Sequence, residues 1–241
     1  MDHAALRDDM VDGLQHPSRG QLRSTRLASA MRAVPRHRFV AGRGAYEDVA
    51  HRVDGSTVLA PSTVASLFEA LAPEPDDAVL IVGAGVGYTA ALAAELTDAR
   101  RVQAVDLDRR LVRLARRNLS RAGYREVLVD CRDGARGLPD YAPYDRILVE
   151  AAAVEVPRAL AGQLAPDGRL VMPIGVDPQE IAVVEDGRVV DRTDPVRLRP
   201  LLVEGEQGTA LERNRTRRED AERARVARES RPGWELEWID W

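Results

Sequence analysis

Gly83-Ala84-Gly85-Val86-Gly87 follows a continuous apolar run and opens a helical pattern. Glycines in such a loop let the backbone turn tightly and let a ligand approach the main chain. The helix N-terminus behind them presents free N–H groups and the positive end of a dipole to an anionic group. A second apolar run, Val102 to Val105, ends at Asp106, about 20 residues on, where an acid accepts hydrogen bonds from ribose hydroxyls. Alone, the loop is compatible with a tight turn and the acid with a helix cap. Together they point to a nucleoside-containing ligand. The dinucleotide pattern G-x-G-x-x-G would need glycine at position 88. Tyr88 stands there, so a nicotinamide dinucleotide is disfavoured. Asp133-Gly134 follows a third apolar run; judged alone, it is compatible with an ordinary turn.

These residues need a scaffold, and the surrounding pattern supplies one. Apolar runs at Ala78 to Val82, Val102 to Val105, Val127 to Val129, Ile147 to Val149 and Arg169 to Ile174 alternate with helical patterns. One helix is Tyr88 to Leu96. Asp108 is placed to cap the next, with Leu111, Leu114, Ala115 and Leu119 as its apolar face and Gly123 at its end. Pro157 suits the first position of a helix through Leu164. Such alternation predicts a doubly wound, mostly parallel α/β sheet. Asp186-Gly187, between Ile181 to Glu185 and Val189 to Asp191, predicts an antiparallel hairpin at its C-terminal end. Pro195 to Val203 reads as one more extended segment.

Upstream, residues 1–36 read as amphipathic helix, with Leu27, Met31 and Val34 on one face before Pro35. Residues 37–61 are turn-rich. Ser62 is expected to cap a helix whose stripe is Val64, Leu67, Phe68 and Leu71. The expected divisions are 1–61, a helical and loop segment over the site; 62–205, the binding core; and 206–241, a charged stretch and a tail. Trp234, Leu236 and Trp238 alternate in that tail, which with Trp241 is expected to dock on the body or on a second subunit.

Composition removes several function classes. The 241 residues carry 39 acidic and 35 basic side chains, net charge -4, which gives no general electrostatic reason to bind nucleic acid. Every basic residue is arginine, so lysine-dependent mechanisms are excluded. The arginine pairs at 109–110, 116–117 and 217–218 read as solvated faces. Cys131 is the single cysteine, so no intrachain disulfide forms. His3, His16, His37 and His51 lack metal-ligand spacing; no metal is expected, and surface or capping roles are. The longest uncharged stretch, Ala78 to Ala94, falls short of a membrane span. A soluble cytoplasmic monomer or homodimer is expected.

The G-x-G-x-G spacing resembles class I S-adenosylmethionine-dependent methyltransferases. Further motifs narrow the resemblance to protein-L-isoaspartate O-methyltransferases. Val34-Pro35-Arg36-His37-Arg38-Phe39-Val40 and Ala45-Tyr46-Glu47-Asp48 are similar to its N-terminal motifs. Gly55-Ser56-Thr57-Val58-Leu59-Ala60-Pro61 stands in place of its G-Q-T-I-S-x-P segment. Asp133-Gly134, Ala142-Pro143-Tyr144-Asp145, Ala151-Ala152-Ala153, Gly168-Arg169-Leu170-Val171 and Pro173-Ile174-Gly175 continue the match over about residues 20–205; Gln179 also aligns. The resemblance implies that Gly83 to Tyr88, Asp106, Leu107, Asp133 and Gly134 hold S-adenosyl-L-methionine, with Asp106 on the ribose and Asp133 at the adenine. It places Leu59 beside the reacting methyl, where the family has a hydroxyl, and Ala60, Pro61 and Glu150 on the substrate side; Thr57 and Ser62 are the nearest hydroxyls in sequence to take that role. The partners implied are proteins or peptides with isoaspartyl residues.

Three positions depart from the family pattern. Leu59 replaces a hydroxyl residue, Ile81 replaces a glutamate, and Glu150 replaces a threonine. The first removes a group that could orient a carboxylate. The second removes a charge that helps position the cofactor loop. The third adds a carboxylate that repels an anionic substrate unless it is protonated or paired, or else points away from the site. Two other readings therefore stay open: a cofactor-binding relative with lost or redirected activity, and a methyltransferase for another acceptor.

Overall fold

The computed structural model describes residues 2–18, 20–40 and 42–201. Helices α1 (His3–Gln15) and α2 (Thr25–Ala33) open the chain. Both are capped by side chains, Asp2 accepting from the Ala4 and Ala5 N–H groups and Ser24 from Leu27. Leu27, Met31 and Val34 are buried as their spacing requires. The turn-rich stretch holds a hairpin that periodicity did not reveal, β1 (His51–Val53) paired antiparallel with β2 (Ser56–Val58). Asp54 and Gly55 at its tip both have positive φ, 46° and 83°, the conformation of a tight two-residue turn.

Helix α3 (Pro61–Leu71) begins two residues earlier than expected. Pro61 fills its first position, Ala60 stands at the cap without a side-chain bond, and Ser62 lies inside the helix, its N–H donated to Asp48 Oδ1 at 2.8 Å. Proline's fixed φ starts the helix here rather than a serine cap. Val64, Leu67, Phe68 and Leu71 form the buried stripe.

The core then runs β3 (Val79–Val82), α4 (Tyr88–Leu96), β4 (Val102–Asp106), α5 (Arg109–Ala122), β5 (Leu128–Cys131), β6 (Tyr144–Val149), α6 (Arg158–Ala161), β7 (Leu164–Ile174), β8 (Gln179–Glu185) and β9 (Arg188–Val196). The seven strands are ordered β5-β4-β3-β6-β7-β8-β9. Pairings from β5 through β7 are parallel and the last two are antiparallel. Within β3, Val79 and Ile81 face the cluster built by α1 to α5, while Leu80 and Val82 face Leu138 and Leu160 on the other side. Burial on both faces explains the unbroken apolar run.

Two expected helices are corrected. The face of α5 is Val112, Ala115, Asn118 and Leu119, with Leu111 and Leu114 only half-buried. Asn118 turns inward because its amide donates to Val86 O at 3.0 Å. The helix after Pro157 ends at Ala161 rather than Leu164, because Leu164 already pairs with Tyr144. Asp108 and Gly123 cap α5 as expected, and Asp186-Gly187 turns β8 into β9.

The extended segment expected from Pro195 is strand only to Val196. Residues 197–201 then cross back over the sheet. Ala152 donates its N–H to Arg199 O at 2.7 Å and Leu201 returns one to Ala152 O at 2.8 Å. Gln179 holds the Leu198 backbone in both directions, at 2.7 and 3.1 Å. The charged stretch and the tryptophan tail lie outside the described residues.

Gly134 sits where no side chain fits. A Cβ placed on it would lie 2.5 Å from Val82 Cγ1 at the sheet's carboxyl end. Gly134→Ala is expected to cost about 1–3 kcal/mol of stability in urea unfolding, the usual penalty for overpacking. An unchanged midpoint would contradict the packing described.

Candidate active site

Strand order reverses between β3 and β6, and the carboxyl ends of parallel strands at such a point leave a crevice. A cavity of about 950 Å³ occupies it, near the upper end for small-molecule sites. Its floor is Val82 to Val86, Val105 and Asp106. The β1–β2 hairpin and residues 197–201 form its cover. Arg199 joins the two, donating from Nη1 to Gly55 O at 2.6 Å.

The glycine loop is held from within. Gly83 and Ala84 donate to Val105 O, both at 2.9 Å, Gly87 donates to Ala84 O at 2.7 Å, and Gly85 donates to Asp106 Oδ2 at 2.9 Å. Four of its N–H groups are thus satisfied by the chain, so the loop itself offers a shaped wall. Gly87, at φ 91°, turns away from the cavity and packs on α5, where a Cβ would meet Leu119 Cγ at 3.1 Å. Asp106 also accepts from Asp108 N–H at 2.9 Å, through Oδ1. Both oxygens are thereby fixed, and each keeps acceptor capacity for a ligand hydroxyl. Burial raises the Asp106 pKa against the lowering effect of these bonds.

The expected residues divide. Gly83 to Val86, Tyr88, Asp106, Leu107, Gly134, Thr57, Leu59 and Glu150 line the cavity. Asp133, Ala60, Pro61 and Gly87 do not. The Asp133 carboxylate instead caps the following turn, accepting from Ala135 N–H at 2.9 Å, and lies 3.7 Å from Arg136 Nε. Ala60 and Pro61 are used in starting α3. Thr89, Ser56 and the arginines 197 and 199 also line the space and were not anticipated. They come from segments far apart in sequence, and only the closed fold brings them together. Arg109 and Arg110 are exposed as expected but also stand on the cavity's edge.

Leu59 is a wall residue, 8% exposed. Glu150 does not point away from the site. It lines the cavity and its carboxyl is hydrogen-bonded by the Thr89 hydroxyl. Burial, reinforced by nearby Asp106 and opposed by the Thr89 bond, pushes its pKa up to about 8. The neutral form is thereby favoured at pH 7, which weakens the repulsion expected of a carboxylate there.

The histidines are less superficial than expected. His3 stacks on His37 with centroids 4.1 Å apart, His37 Nδ1 meets the Tyr46 hydroxyl at 2.7 Å, and His51 Nε2 bonds Gly44 O at 2.9 Å. Only His16 is exposed. Among the described residues no group of three or more His, Cys, Asp or Glu could hold a metal, and no helix is long and apolar enough to cross a membrane.

The doubly wound sheet, the shaped glycine loop and the acid at the end of the next strand define the Rossmann-like fold of class I S-adenosylmethionine-dependent methyltransferases. Within that class, the model of the protein-L-isoaspartate(D-aspartate) O-methyltransferase family matches residues 6–201, and the chain belongs to that family. A protein-L-isoaspartate O-methyltransferase of Aeropyrum pernix is 47% identical, the match covering 83% of this chain and 79% of the relative. One from Methanopyrus kandleri is 44% identical over 76% and 84%. A solved structure titled protein-L-isoaspartate O-methyltransferase superposes with a TM-score of 0.71 at 30% identity, covering 87% of this chain and 69% of the other. A Plasmodium falciparum structure in complex with S-adenosyl-L-homocysteine, at 21% identity and a TM-score of 0.72 over 81% and 98%, shares the fold.

The raised Glu150 pKa has a linkage consequence. The folded state keeps a proton that the unfolded chain loses above its ordinary value of 4.5. Glu150's contribution to stability is thus fully present below that value and is lost as pH rises toward about 8. Relative to Glu150→Gln, which does not titrate, the wild type should lose up to about 1.4 kcal/mol per pH unit in that window. Urea unfolding at pH 5 and pH 8 checks this; an equal difference at both would show that Glu150 is ionised in the fold.

Proposed function

We propose that the chain methylates the carboxylate of isoaspartyl residues in damaged proteins, with S-adenosylmethionine as the methyl donor. The observation that carries this reading is the shared cavity. The glycine loop, Asp106, Thr57, Leu59 and Glu150 all line it, so donor and acceptor would meet in one space. The cavity suits the cofactor's chemistry: a fixed carboxylate for ribose hydroxyls and a glycine wall that admits a ligand against the main chain. In this reading Gly83 to Val86, Tyr88, Asp106, Leu107 and Gly134 hold it.

Bound S-adenosylmethionine supplies an electrophilic methyl group on a sulfonium. The acceptor carboxylate is ionised at neutral pH, since its ordinary pKa is about 4, so the protein does not need a general base. What the residues contribute is alignment and exclusion of water. The hairpin, with Thr57 in the middle of its second strand, and residues 197–201 cover the reacting centre, and Leu59 gives it an apolar wall. A cytoplasmic location belongs to this proposal and is supported by Cys131, whose thiol has no intrachain partner for a disulfide.

Calorimetry should show S-adenosylhomocysteine binding to the wild type. Asp106→Ala should weaken it by about 1.5–3 kcal/mol, the range for hydrogen bonds to a charged group. In a methyl-transfer assay an isoaspartyl peptide should be modified and its aspartyl control should not. If the cofactor product binds and neither peptide is methylated, the acceptor assignment is wrong.

A further inference from the structure

Resting on that reading of the cavity, we propose that Glu150 in its neutral form is the hydrogen-bond donor that receives the acceptor's carboxylate, in the role left open by Leu59. The geometry supports it at three points. First, Glu150 follows β6 directly and sits beside the glycine loop. A Cβ on Gly83 would lie 3.4 Å from Glu150 Cβ, which places Glu150 against the glycine loop on the cavity. Second, Thr89 donates to Oε1. This orients the carboxyl and leaves its own proton for Oε2, free to be donated onward. Third, no hydroxyl stands at position 59, where Leu59 forms an apolar wall.

Charge decides whether such a donor exists. On the neighbouring strand β4, Asp106 acts on Glu150 in the same direction as burial, favouring the neutral form. The other charged groups on the cavity are Arg52 and Asp54 of the hairpin, Asp108, Arg109 and Arg110 at the start of α5, and Arg197 and Arg199 of the crossing segment. Arg199 is engaged with Gly55 O and Arg110 with Asp108 at 2.8 Å. None of the ion pairs described involves Glu150. An incoming carboxylate would favour the neutral acid further. It would hold one acceptor oxygen by a charge-assisted bond and leave the other to attack.

The test is the pH dependence of kcat/KM for an isoaspartyl peptide. The wild type should lose activity as pH rises through about 8. Glu150→Gln keeps an N–H donor and cannot titrate; it should lower kcat/KM a few-fold at pH 7 and abolish the alkaline decline. Glu150→Ala should lose about 10- to 100-fold. A wild-type profile that climbs above pH 8, or an alkaline decline that persists unchanged in Glu150→Gln, would overturn the proposal. Infrared difference spectroscopy of wild type against Glu150→Gln gives a reading independent of turnover. A protonated-carboxyl band at pH 7 that disappears above pH 8 is expected, and its absence at pH 7 would overturn the proposal too. A wild type that shows this band but never methylates the peptide would instead overturn the acceptor assignment, and with it this role for the proton.

Discussion

One buried guanidinium ties the N-terminal segment to the start of α4. Arg36 is fully buried and donates from Nε to Ala45 O at 2.8 Å and from Nη2 to Leu59 O at 2.6 Å. Its carbon Cζ lies 4.6 Å above the Tyr88 ring. A charge taken out of water costs several kcal/mol unless its surroundings compensate. Here three separate segments must converge to supply that compensation: the loop after α2, the strand leading into α3, and the first residue of α4. Burial lowers the Arg36 pKa, while Tyr88 and Asp48 oppose that shift. Asp48 in turn accepts from Ser62 N–H at the start of α3. Moving any one of these segments would leave a buried charge without its partners, so Arg36 fixes how the N-terminal segment closes over the sheet.

The cavity follows from that closure. Phe39 meets Tyr88 edge-on at 5.7 Å, which packs the N-terminal segment against the residue that starts α4. From the opposite side, Gln179 and Ala152 hold residues 197–201 over the carboxyl end of β6. The parallel strands alone would leave an open crevice. Its conversion into a covered space depends on segments from both ends of the described chain. A reaction that must exclude water needs that enclosure more than it needs any single reactive side chain.

The pattern of residues revealed the sheet and the loop because those elements are dictated locally. Strands buried on both faces give unbroken apolar runs, Asp108 and Gly123 mark the ends of α5, and Asp186-Gly187 admits the positive φ of a tight turn. The β1–β2 hairpin was missed although Asp54-Gly55 carried the same signal, because its three-residue strands are too short to show alternation. The inward turn of Asn118 was hidden because it answers to Val86 O, 32 positions away. The direction of Glu150 was also hidden. It ends a strand buried on both sides, where apolar alternation carries no sign of facing. Its partner Thr89 is 61 positions away. Asp133 lies off the cavity for the opposite reason: its carboxylate caps a local turn.

Two of the three departures from the family pattern, Leu59 and Glu150, make more sense together than singly. Methyl transfer from a sulfonium to a carboxylate joins a cation and an anion into two neutral products, and no proton moves. A site that excludes water favours such charge annihilation, because the reactants lose more hydration than the products do. An amine acceptor would behave differently: its proton has to leave, and a neutral Glu150 cannot take it. The position of the carboxyl thus discriminates by protonation state. Ionised, it would repel a carboxylate acceptor and stand ready as a base. Neutral, and oriented by Thr89, it offers a proton for hydrogen bonding and keeps it throughout the reaction. Burial and the nearby Asp106 both favour the neutral form, so loss of the hydroxyl at 59 and gain of an acid at 150 are physically compatible with a carboxylate acceptor in the same pocket.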